Sequence, residues 1–110
     1  MFLLKENWSE DQKKAVWNKY AGAGAKYAHD VAGAWMCYDK YGDTSSETNE
    51  GWEIDHIVPK SMGGTDDISN LQPLQWYNNR AKSDNYPDFI YEITADGYYN
   101  VKRKQYFRIA

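Results

Sequence analysis

The sequence predicts an α+β fold, and three observations carry that prediction. SEDQKKAVWNKY opens with Ser9 and has Gln12 three positions on, the reciprocal pair that satisfies the first unpaired amides of a helix. Runs rich in Trp, Tyr, Ile and Val alternate with glycine, proline and polar residues, as strands do between turns. FIYEITADGYYNVKRKQYF holds two such runs around Asp96-Gly97, a tight hairpin turn flanked by strand formers.

The elements follow in order. The first helix is expected over about residues 9–20, with acids early and lysines late, which suits its dipole; Trp8, Ala15, Val16 and Trp17 are its candidate buried side. AGAGAKYAHD reads as a loop or a short irregular helix, because Gly22 and Gly24 disfavour helix, and His29 within it reads as a surface or capping residue. GAWMCYDKYG is a strand closing at Gly42, and WEIDHIV is a second strand stopped by Pro59, which cannot continue a ladder. These two are expected to pair as a hairpin with a long polar loop. PKSMGGTDDISN is a loop, LQPL a short strand made irregular or peripheral by Pro73, and QWYNNRAKSD a helix that must end before Pro87.

The chain has 110 residues, 42% of them hydrophobic and 26% charged, enough for one modest core. Five Trp and ten Tyr exceed what a small core needs, which leaves some rings for stacking on bases or a partner. Cys37, the one cysteine, excludes an internal disulfide and a cysteine zinc cage; its place in an apolar run marks it as core. MFLLKENW lacks the basic start and apolar length of a leader, and no segment reaches the ~20 apolar residues that span a bilayer. The expected location is cytoplasmic.

Net charge is −3, a weak argument against indiscriminate nucleic-acid binding. The distribution is uneven. Six acids and one lysine lie between Asp39 and Asp55, whereas VKRKQYFRIA carries Lys102, Arg103, Lys104 and Arg108 without an acid. That run is either a solvated face or a phosphate contact, the latter supported by Tyr106 and Phe107 among the bases.

The chemistry concentrates in DHIVP, SNLQPL and NNRAKSD. A helix packed across the two strands would bring Asp55, His56 and Asn79 into one small volume. Phosphodiester hydrolysis needs a base for water, and neutral imidazole with a pKa near ~6.5 suits it. It also needs charge neutralisation at the phosphate, which a hard divalent cation supplies. Asp55 and the Asn79 carbonyl are hard oxygen donors, the pattern of a Mg²⁺ rather than a zinc site. Asp55 and His56, neighbours in extended chain, point to opposite sides, one toward the metal and one toward water. Asn70 is expected to brace the VPKSMGG loop and fix the histidine's orientation. Lys82, three positions beyond Asn79, shares its helix face and is a candidate phosphate contact; Arg80 points elsewhere and is a weaker one.

Singly, each signal has a structural explanation; their order and spacing are specific. The run from Trp52 to Asp84 resembles the HNH endonuclease motif, the ββα-metal fold. Asp55-His56-Ile57-Val58-Pro59, Gly63-Gly64, Asn70-Leu71-Gln72 with Leu74, and Asn79 with Lys82 carry the resemblance. Asn79 stands where the family often has His, which makes this similar to the H-N-N variant. The paired zinc-binding cysteines common in the family are lacking.

The resemblance implies a single HNH nuclease domain over residues 1–110, with core motif 52–84, an N-terminal helix and a C-terminal β-hairpin. It implies His56 as general base, Asn70 as the orienting residue, and Asp55 and Asn79 as ligands of Mg²⁺ or Mn²⁺, without structural zinc. DNA is the implied partner, with Lys82, Arg80, Lys102, Arg103 and Lys104 as candidate contacts; a protein regulator stays open. The leading expectation is a DNA endonuclease. The alternative is a non-cleaving nucleic-acid- or protein-binding module on the same scaffold, and a nuclease toxin is a third.

Overall fold

Ser9 caps helix α1, Glu10–Ala21, through a reciprocal pair. Its hydroxyl accepts from the Gln12 amide at 3.1 Å, and the Gln12 side chain accepts from the Ser9 amide at 2.9 Å. Val16 and Trp17 are the buried residues of α1, Trp8 packs at the margin, and Ala15 is exposed. The architecture is that of a computed structural model describing residues 7–108, with side chains to residue 106. Residues 1–6, most of the stretch read for a leader, and the Phe107 and Arg108 side chains lie outside the described residues.

Strands β1 (Tyr27–His29) and β2 (Trp35–Cys37) pair antiparallel over three residues, so part of the expected loop at 21–30 is a strand. Strand β3 (Trp52–His56) pairs antiparallel with β4 (Leu71–Gln75), from Trp52 opposite Gln75 to His56 opposite Leu71. Helix α2 spans Trp76–Lys82. Strands β5 (Asp88–Asp96) and β6 (Tyr99–Arg108) form the terminal hairpin. Gly97, first of its two loop residues, has φ +64°, as a two-residue hairpin turn requires. Helices and small antiparallel sheets make the fold α+β.

The expected hairpin between the GAWMCYDKYG run and WEIDHIV is corrected: β3 takes β4, and β2 takes β1. The chain leaves β2 through a single 3₁₀ turn at Tyr38–Lys40, so only three residues stay extended. What survives between the two runs is one parallel bridge, Tyr41 to Trp52, and the Cys37 amide bonded to the Glu50 carbonyl. Strand β4 offers five consecutive extended residues, all buried.

The main core joins Val16, Trp17, Met36, Trp52, Ile54 and Leu71, with the Trp17 and Trp52 rings 5.0 Å apart. A polar knot fastens α2 to the rest. Asp30, buried, accepts from the amides of Ala32, Ala34 and Gln75 and from the Asn78 side chain at 2.8–3.2 Å. Asn78, fully buried, also accepts from the Glu92 and Ile93 amides and donates to the Ile93 carbonyl. Those bonds fall where the β5–β6 register shifts, between Tyr91 and Ile93; there the irregular strand leaves backbone groups for a side chain to satisfy. With Asn78 turned toward β5, its neighbour Asn79 is presented toward β3. Among the described residues no helix is long and apolar enough to cross a membrane.

Candidate active site

Asp55, His56, Asn79 and Arg80 line one cleft of about 510 Å³, with Pro59, Lys60 and Asp84 at its margins. Strand β3 brings the first two and helix α2 the next two. Arg80 was expected to point elsewhere and instead lines this cleft. Its guanidinium donates to Glu53 at 2.8 Å and stacks 5.4 Å from the Trp76 ring.

His56 contacts Asp66 through Nε2, 2.7 Å from Oδ1, and its ring lies 5.7 Å from that of Trp8. An ionised carboxylate only accepts, so Nε2 is the donor of this bond. The His56 ring, and then the Lys60 ammonium at 3.3 Å, hold the Asp66 carboxyl below the ordinary range. Asp66 was not foreseen. TDD after the two glycines reads as solvated turn residues, and only the folded loop carries an acid ten positions on back to the ring.

Asn70 makes its side-chain bonds across that loop. Its carbonyl accepts from the Val58 amide at 2.8 Å, and its Nδ2 donates to the carbonyls of Val58 and Thr65 at 3.0 and 2.9 Å. Gly64 lies so close that a Cβ there would fall 1.7 Å from the Val58 carbonyl oxygen. Only glycine permits this closure. Asp66 bonds the histidine ring directly, whereas Asn70 holds the loop that carries Asp66.

Asp55 is buried, with Oδ1 3.2 Å from the Lys82 ammonium and Oδ2 accepting from Gln72 at 3.0 Å. Burial pushes its carboxyl up, against the pull of Lys82 and Gln72. Lys82 also sits differently from expectation. It is fully buried, and its ammonium also donates to the His56 carbonyl at 3.1 Å, so it neutralises Asp55 instead of facing a phosphate. The helix-face argument placed it beside Asn79 but carried no information on depth.

Asn79 donates through Nδ2 to Glu53 Oε1 at 2.8 Å. The opposite end of that amide is therefore its oxygen. The donor set suits a hard divalent cation: one carboxylate and one amide oxygen on a shared cleft, with lone pairs beyond those bonded to Lys82 and Gln72. Among the described residues no group of three or more His, Cys, Asp and Glu side chains is placed to hold a metal ion. A cation here would need ligands from solvent or substrate beside Asp55 and the Asn79 amide. Lys102, Arg103 and Lys104 are exposed on β6, away from the cleft lining, and Lys102 lies 5.8 Å from the Tyr77 ring of α2.

Residues 36–85 match the family model described as HNH endonuclease. Among individual proteins, a segment of 25 residues is 56% identical to the Probable mobile endonuclease C of Enterobacteria phage T4. The match covers 23% of this chain and 12% of the phage protein. No solved structure matches the chain significantly.

Proposed function

We propose that this chain is a metal-dependent endonuclease that hydrolyses DNA phosphodiester bonds. In this reading β3, β4 and α2 are the strand-strand-helix core of a ββα-metal fold, and residues 1–110 act as one nuclease domain. The observation that carries it is the cleft shared by Asp55, His56 and Asn79. Asp55 and Asn79 are the protein ligands of a divalent ion, Mg²⁺ by preference and Mn²⁺ as a substitute. When bound, that ion would supply Lewis acidity at the scissile phosphate and stabilise the leaving oxygen.

His56 takes a proton from the attacking water, while Asp66 fixes the ring through Nε2. Asn70 keeps the loop closed so that Asp66 stays within reach. Arg80 brings positive charge to the cleft for phosphate, and Lys102, Arg103 and Lys104 are secondary DNA contacts. The site of action is cytoplasmic.

A second reading, a module that binds without cutting, is favoured by the terminal hairpin, where Tyr98, Tyr99 and Tyr106 are exposed beside the bases. Supercoiled plasmid incubated with the protein and Mg²⁺ or Mn²⁺ separates the two. Nicking that stops on chelation is the expected result, and shifted but intact plasmid would support the binder. His56→Ala is expected to abolish nicking with an unchanged circular-dichroism spectrum and melting temperature. Nicking at the parent rate would remove His56 from the role.

A further inference from the structure

The carboxylate of Glu53 serves neither as base nor as ligand in the mechanism above, yet it bonds two residues of α2. Glu53 precedes Asp55 by two positions on β3, so both side chains stand on one face of the strand. It is 8% exposed. Its oxygens are divided between consecutive α2 residues: Oε1 accepts from Asn79 Nδ2 at 2.8 Å, and Oε2 from the Arg80 guanidinium at 2.8 Å. Burying a carboxylate is costly unless it is paired, and an apolar side chain would serve a purely packed position at least as well.

We infer that Glu53 is a positioning residue: it sets the orientation of the Asn79 amide so that the carbonyl oxygen, not the amino group, faces the cation. The inference rests on the reading of Asn79 as a ligand. An asparagine amide is nearly symmetric in shape, so packing alone chooses poorly between its two orientations. One presents a hard oxygen donor, and the other turns two N–H groups toward a positive ion. A carboxylate removes the ambiguity because it can only accept. The second bond, to Arg80, anchors Glu53 itself and keeps the guanidinium at the edge of the cleft.

Mn²⁺ binding to the full chain, followed by the electron paramagnetic resonance of free Mn²⁺, tests this without reference to cleavage. Glu53→Ala is expected to weaken binding by about tenfold or more, the usual cost of losing a group that orients a metal ligand. Asn79→Ala should weaken it at least as much. The double variant should bind no worse than Asn79→Ala alone, because Glu53 acts only through that amide. Unchanged binding in Glu53→Ala, or losses that multiply in the double variant, would overturn the inference while leaving Asn79 as a ligand. Unchanged binding in Asn79→Ala would instead remove the ligand and the inference with it.

If Glu53→Ala melts below the assay temperature, Glu53→Gln in an Arg80→Ala background replaces it. The glutamine amide both donates and accepts, so it no longer selects the Asn79 orientation, and Mn²⁺ binding is expected to fall by about tenfold relative to Arg80→Ala but not when Asn79→Ala is added to both proteins. Binding equal to that of Arg80→Ala, or the same loss in the absence of Asn79, would overturn the proposal.

Discussion

The His56 ring is held by an exposed acid that arrives from the far side of a loop, and this makes the contact dependent on pH. Asp66 titrates below the ordinary carboxylate range because of His56 and Lys60. A depressed acid binds fewer protons folded than unfolded, so its stabilisation is present above the ordinary value of ~3.9 and is lost as pH falls through the lowered one. The difference in melting temperature between the parent and Asp66→Asn is therefore expected to be positive above about pH 4 and to shrink on acidification. Activity should fall by about tenfold or more in the variant near neutrality, a share of what a positioned base contributes. Cleavage equal to the parent's would leave the ring oriented by other groups.

Helix α2 is a short element asked to do several jobs at once. Its consecutive asparagines face opposite ways, Asn78 into the β5 bulge and Asn79 toward Glu53, and Lys82 closes the far end against Asp55. Removing one member of a buried ion pair leaves the other charge uncompensated. Lys82→Met is thus expected to cost about 3–5 kcal/mol in chemical denaturation. A loss below about 1 kcal/mol would mean the pair is solvated in solution.

Local signals explain which elements were legible. Helix α1 announces itself through Ser9 and Gln12, and the last hairpin through Asp96-Gly97; both are decided by residues a few positions apart. The partner of β3 was not legible, because β2 and β4 are both short apolar runs and only the early 3₁₀ turn after Cys37 disqualifies one of them. At the site, Asp55, His56 and Asn79 could be drawn together from order and spacing. Glu53 could have been found by its two-residue offset from Asp55, whereas Asp66 and the depth of Lys82 depend on loop closure and packing.

Across the whole molecule the charges are segregated. The chain carries −3 overall, while Lys102, Arg103 and Lys104 are exposed along β6. If this strand grips a DNA backbone, replacing the three bases with glutamine should weaken binding and flatten its dependence on log salt by up to about 3, near 0.9 per phosphate contact. An unaltered slope in fluorescence anisotropy would make the strand a solvated face.

The insertion of Asn78 into the register shift of β5 has one more consequence. Because the residue beside it reaches into the cleft, the hairpin and the cleft are fastened to the same turn of helix. Nucleic acid clasped along the hairpin would therefore be severed at a constant number of nucleotides from where it is clasped, so the protein would behave as a ruler.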